Sequence, residues 1–153
     1  MKLILFTTGE VTSPNYPNKY PNDLEKTQTI RVEEGLILSL QFTAFDIQSH
    51  YNCRYDHLTI MDGDGTTLME RRCGTSLPAA IRSTSNVVNL LFSTNSNSYD
   101  GGNSGWSVSW SAVTPGECQQ CNLLYPLKMI ANVLKNTGCF QPKQTRPCLS
   151  FLF

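Results

Sequence analysis

Between residues 9 and 113, hydrophobic and polar positions alternate with a period of two, broken at short intervals by turn residues. Leu36, Leu38, Leu40 and Phe42 alternate with Ile37, Ser39, Gln41 and Thr43. Successive side chains of an extended chain point to opposite sides, so this pattern predicts a strand buried mainly on one face. Trp106, Val108 and Trp110 against Ser107, Ser109 and Ser111 repeat it more cleanly. Residues 57–61 and 66–70 flank Asp62-Gly63-Asp64-Gly65, which predicts a hairpin because glycine tolerates the positive φ of such turns. Residues 86–93 form another predicted strand, almost unbroken in apolar character through Val87-Val88 and Leu90-Leu91-Phe92. Glu34-Gly35, Leu77-Pro78 and the polar stretch 94–104 are the connections. Many short strands at this spacing predict an all-β fold, an antiparallel sandwich or barrel.

The character changes after Thr114-Pro115-Gly116. Residues 114–153 read as a short cysteine-bearing tail, a linker or the truncated start of another module. Leu123, Leu127, Ile130 and Leu134 fall at helical spacing there, interrupted early by Pro126. At the other end, Met1-Lys2-Leu3-Ile4-Leu5-Phe6 is too short for a signal-peptide apolar region of ~7–15 residues. Residues 1–8 are read as a truncated signal remnant or a leading strand, the former being favoured.

Charge removes several functions. The 12 basic and 12 acidic residues cancel, and no basic stripe is present, which argues against nucleic acid or anionic membrane as a partner. No segment has the length and apolar character of a membrane span. The six cysteines are an even number, as an oxidising compartment favours, although spacing alone does not fix their connectivity. Cys53 and Cys73 lie on either side of the predicted hairpin, and their arrangement suggests a disulfide beside an acidic loop. Such a bond closes a loop worth about 3 kcal/mol in the chain-entropy treatment. Cys118, Cys121, Cys139 and Cys148 have the number for a zinc site, but the last two are too far apart for a zinc knuckle, which favours disulfides.

Catalytic patterns are weak. Gly102-Asn103-Ser104-Gly105 has the outline of a serine nucleophile loop, with His50, His57, Asp56 and Asp62 as conceivable partners. A triad also needs an oxyanion hole and a larger scaffold, and Ser104 sits in a Gly/Ser/Asn-rich connection. HExxH, GxGxxG and phosphate-loop motifs are absent, so no catalytic residue is assigned.

Several landmarks occur in order. Gly9-Glu10-Val11-Thr12-Ser13-Pro14-Asn15-Tyr16-Pro17 is followed by Tyr20-Pro21, Phe45-Asp46-Ile47, Cys53-Arg54-Tyr55-Asp56, Asp62-Gly63, Cys73-Gly74 and Gly105-Trp106. Over residues 9–113 this set resembles a CUB domain. The resemblance implies a jelly-roll-like β-sandwich of two antiparallel sheets, secreted, and used to bind an extracellular protein or glycan. It is similar to the CUB domains that accompany complement-type serine proteases and tolloid-like metalloproteases, which makes a targeting module of a larger secreted protease one alternative. A spermadhesin-like glycan-binding protein is another.

Two departures from the family pattern stand out. The first disulfide of many CUB domains is missing, with Lys26 where its second cysteine would fall, which resembles the single-disulfide domains of the complement proteases. In calcium-binding members, three acidic side chains ligate the ion. The matching positions here are Gln48, Asp56 and Asn95, with Tyr20 in support. Two carboxylates have become amides, and calcium affinity rises with ligand charge, so calcium is a possible cofactor rather than an implied one. Asp46 and Asp100 are the acids near enough in sequence to compensate. His50, Tyr51, Arg54 and Tyr99 lie in or beside the same loops and are the candidate partner-binding residues, since tyrosine and arginine combine apolar area with hydrogen bonding.

Overall fold

The computed structural model describes residues 7–96 and 103–116. They form eight strands: β1 (Thr8–Thr12), β2 (Glu25–Arg31), β3 (Ile37–Asp46), β4 (His57–Asp62), β5 (Thr67–Arg72), β6 (Ile81–Arg82), β7 (Val87–Ser93) and β8 (Gly105–Val113). A single 3-10 turn, Tyr51–Cys53, precedes β4. The strands make two four-stranded antiparallel sheets, ordered β1-β8-β3-β6 and β2-β7-β4-β5. The predicted all-β sandwich is what forms. The helical spacing, the four tail cysteines and the run at residues 1–6 lie outside the described residues.

The alternation of the sequence becomes the layer between the sheets. Leu38, Leu40 and Phe42 of β3 and Trp106 and Val108 of β8 face Leu58 and Ile60 of β4 and Val88, Leu90 and Phe92 of β7, all buried. Phe92 meets the edges of both Tyr20 and Trp106, at ring distances of 5.1 and 6.0 Å. Tyr20 thus joins a loop to the core. Strands β3, β8, β7 and β4 occupy the interior positions of their sheets, and β4 and β7 bury every second side chain. Strand β3 runs three residues beyond the predicted 36–43, through an irregularity between Phe42 and Ala44, and delivers Asp46 to the end of the sandwich.

Two strands escaped the sequence pattern. Strand β2, Glu25-Lys26-Thr27-Gln28-Thr29-Ile30-Arg31, is an edge strand whose one buried side chain is Ile30, so it lacks an apolar stripe. Lys26, at the position of the missing cysteine, is exposed on it. Strand β6 has two residues, too few for any periodicity.

Candidate functional site

Strand directions bring four connections to one end of the sandwich. Tyr20 lies between β1 and β2, Gln48 follows β3, Asp56 precedes β4, and Asn95 follows β7. Tyr20 donates its hydroxyl hydrogen to Asp56 Oδ2 at 2.7 Å and accepts the Gln48 backbone N–H at 3.0 Å. The Asn95 backbone N–H donates to Asp56 Oδ1 at 2.8 Å. The structure therefore assembles the four positions proposed from sequence, around a carboxylate that is itself buried. Burial pushes the Tyr20 hydroxyl well above its ordinary pKa; the Gln48 N–H opposes this, and the Asp56 carboxylate adds to it. The phenol therefore stays protonated, as a donor to Asp56 must.

Asp46 does a parallel task a short distance away. Its carboxylate accepts Asn103 Nδ2 at 2.7 Å, Ser104 N at 2.8 Å and Ser104 Oγ at 3.2 Å. Asp46 and Asp56 consequently hold the two stems of one connection, Asp56 at residue 95 and Asp46 at residues 103 and 104. Tyr99 and Asp100, between those stems, lie outside the described residues. The Ser104 hydroxyl, weighed above as a nucleophile, is spent on Asp46. His57 Nδ1 faces Tyr55 O at 3.0 Å and His50 Nδ1 faces Tyr51 O at 2.8 Å, so both imidazoles are tied to their own loop.

The loop from 49 to 56 is built around a bond and a bend. Cys53 and Cys73 form the disulfide that the sequence suggested. Asn52 and Cys53 both have positive φ, 56° and 46°, a conformation uncommon for side chains with a Cβ. The Cys53 N–H donates to His50 O at 3.0 Å, closing the turn. Next to it, Ile47 and Gly74 exchange a pair of backbone hydrogen bonds, at 3.0 and 2.8 Å. This framework leaves Tyr51 83% exposed and Arg54 exposed. His50 packs on Tyr55, ring centroids 4.2 Å apart. Tyr55, 39% exposed, adds a smaller share to this surface; its place in the Cys-x-Tyr-Asp landmark hides that from the sequence.

The disulfide is expected to carry a measurable part of the stability. It closes a sequence separation of 20 residues. Replacing both cysteines with serine is expected to destabilise the sandwich by about 3 kcal/mol. Chemical denaturation of the native and variant proteins under non-reducing conditions checks this, and a difference under about 1 kcal/mol would show that the loop contacts alone impose the constraint.

Comparison with known proteins bears on the whole arrangement. The family profile described as CUB domain matches residues 3–110. Mouse mannan-binding lectin serine protease 1 is 40% identical over 114 residues, 71% of this chain and 16% of that protein. Rat cubilin is 33% identical over 112 residues, 73% of this chain and 3% of that protein. The chain thus spans a small part of these relatives. Among solved structures, the MASP-1 CUB2 domain bound to Ca2+ superimposes with a TM-score of 0.60 at 38% identity, over 67% of this chain and 90% of that one. The CUB1-EGF-CUB2 segment of human MASP-1/3 gives 0.63 at 28% identity, over 74% and 44%.

Proposed function

Because the chain belongs to the CUB domain family, we propose that it is a non-catalytic, secreted recognition module that contacts an extracellular protein or glycan through the loops at the Asp56 end of the sandwich. CUB domains are binding modules without catalytic machinery, and an extracellular setting agrees with the Cys53–Cys73 disulfide. Among the described residues, no helix is long and apolar enough to cross a membrane.

The observation that carries the reading is the exposure of Tyr51 on a loop held by a disulfide, a closed turn and the Asp56 network. Ordering a mobile loop on binding opposes association, and a loop fixed beforehand avoids that loss. Tyr51 and Arg54 then supply the side-chain types that dominate binding energy, with His50 and Tyr55 beside them and Tyr99 on the neighbouring connection. Similarity to a serine protease that carries CUB domains supports a second form of the same reading, in which this module targets a larger secreted protease. A spermadhesin-like glycan binder remains the third.

Calcium enters this reading as a test of donors. At the positions that the family resemblance assigns to the ion, this chain would offer Asp56, Gln48 and Asn95, with Tyr20 orienting Asp56. The Asp56 oxygens already accept two protein donors, and the other two positions carry neutral amides. One carboxylate among three is a poor match for a hard divalent cation. Recognition is therefore proposed to run on the protein's own loops.

Surface plasmon resonance against a panel of purified extracellular-matrix proteins, with a glycan array alongside, tests the proposal. A ligand of the native protein is expected to bind the Tyr51→Ala/Arg54→Ala variant at least tenfold more weakly, with melting unchanged. The array separates glycan from protein recognition. Undiminished binding of every ligand by the variant would move the surface elsewhere.

A further inference from the structure

The amides at Gln48 and Asn95 have a consequence for how this end of the molecule is ordered. A buried carboxylate needs compensation, which a cation or a set of hydrogen-bond donors can supply. Asp56 obtains it from the Tyr20 hydroxyl on one oxygen and the Asn95 N–H on the other, at 2.7 and 2.8 Å. The half-buried Asp46 is satisfied in the same way, by three donors on Asn103 and Ser104. Among the described residues, no group of three or more His, Cys, Asp or Glu side chains is placed to hold a metal ion. Resting on the recognition reading above, we infer that this chain is a calcium-independent form of the domain, in which Asp56 and Asp46 clamp the two stems of the 96–102 connection through protein donors alone.

The geometry explains why this suffices. Residue 95 is held from three directions. Its N–H binds Asp56, its carbonyl accepts the Asp23 N–H at 3.0 Å, and the preceding Thr94 hydroxyl donates to Pro21 O at 2.8 Å while accepting the Leu24 N–H at 2.9 Å. Both aspartates sit beside rigid elements, Asp46 closing β3 and Asp56 immediately before β4. The clamp is thus anchored in both sheets. A metal would add little order to stems already fixed, and three donors with one formal charge would attract it weakly.

What sets the four positions apart from a calcium site is then the charge of the donors, not their placement. Restoring the two carboxylates should then restore calcium binding on the same backbone. The test follows thermal unfolding of the full chain with millimolar Ca2+ and with EDTA, together with calorimetric titration of Ca2+. The native protein is expected to melt within about 1 °C in the two buffers and to give no saturable heat. Gln48→Glu/Asn95→Asp is expected to gain several degrees in Ca2+, since a ligand of the folded state alone raises its stability by mass action. Asn95→Asp alone should show a smaller gain, which keeps the series readable if the double variant folds poorly.

A several-degree shift of the native protein would overturn the inference, and loss of that shift in Asp100→Asn would locate the compensating ligand. Absence of any gain in both charge-restored variants would overturn it too. Ligand binding in EDTA separates this inference from the recognition proposal. Loss of a native ligand in EDTA sinks calcium independence and leaves the loop surface standing. Retention in EDTA with an indifferent Tyr51→Ala/Arg54→Ala variant does the reverse.

Discussion

Gly105→Ala is expected to destabilise the domain by about 4 kcal/mol, the sum of backbone strain and core overpacking. Gly105 opens β8 with φ at +92°, where a residue with a Cβ is strained. A Cβ there would overlap the Ser13 hydroxyl and stand 2.9 Å from Ser13 Cβ, with the Tyr20 ring in ordinary contact at 3.5 Å on another side. Ser13 cannot move aside without cost, and Tyr20 closes off the space behind it. Ser13 is buried and doubly tied to the next residue: its N–H donates to Trp106 O at 2.9 Å, and its hydroxyl accepts the Trp106 N–H at 3.0 Å. Tyr20 is held by Asp56 and by its T-shaped contact with Phe92. A melting temperature lower by roughly 15–25 °C is the expected reading for a domain of this size.

A double-mutant cycle with Ser13→Gly isolates the steric part. Ser13→Gly alone strips the Trp106 N–H of its acceptor and should cost about 1–2 kcal/mol. Combined with Gly105→Ala it relieves the overlap, so the pair should lose less than the sum of the singles. A melting temperature of Gly105→Ala within about 3 °C of native would mean that the β1–β8 corner yields, and that the close approach of Ser13 does not constrain position 105.

The same corner shows what the sequence could convey. Ser13-Pro14 and Gly105-Trp106 were legible as landmarks 93 residues apart, without a reason for either. The structure supplies the reason: they are two sides of one contact, and the glycine is the absence of an atom. Interior strands were legible because one face of each lines the core, as the alternating burial of β4 and β7 testifies. Strand β2 was not, because at a sheet edge almost every side chain meets water and alternation carries no signal. The candidate site was legible through its landmarks: Tyr20, Gln48, Asp56 and Asn95 do converge. Its chemistry was less so. Two of the bonds in the cluster come from backbone N–H groups, of Gln48 and Asn95, which no side-chain pattern announces. The sequence offers Asp46 as a spare calcium ligand, whereas its commitment to residues 103 and 104 depends on β3 extending past the irregularity at Phe42 and Ala44.

Asp62 was the residue most open to being read and missed. It shares the parity of Leu58 and Ile60, so the strand that buries those two also turns Asp62 inward, and it is fully buried. By its place in Asp62-Gly63-Asp64-Gly65 the sequence presents it as the first residue of a hairpin turn. Asp56 and Asp62 stand at opposite ends of β4, and the second buried acid serves the end away from the candidate site.

Asp62→Ala is accordingly expected to destabilise the domain by about 2–3 kcal/mol, since it empties a buried position and takes a charged acceptor from four donors on Gly63, Thr84 and Ser85. The carboxylate accepts Gly63 N at 2.8 Å, Thr84 N at 2.6 Å, Thr84 Oγ1 at 2.9 Å and the Ser85 hydroxyl. Through residues 83–85 it reaches the other sheet, where Ser83 and Leu38 exchange bonds of 2.7 and 2.9 Å. Burial by itself would raise the carboxyl pKa, but the donors of Ser85, Thr84 and Gly63 together outweigh it and hold the group below the ordinary carboxylate value. A carboxyl whose pKa is lowered by folding contributes stability that is present above its unfolded pKa of about 3.9 and is lost as pH falls through the lower folded value. Asp62→Asn keeps the shape and one acceptor but cannot ionise. The stability difference between native protein and Asp62→Asn should therefore be largest near neutral pH and shrink below about pH 4. Urea unfolding of both proteins from pH 7 down to pH 3 measures it. A difference that stays constant over that range would show that shape, and not the charge of Asp62, joins the hairpin to the 83–85 turn.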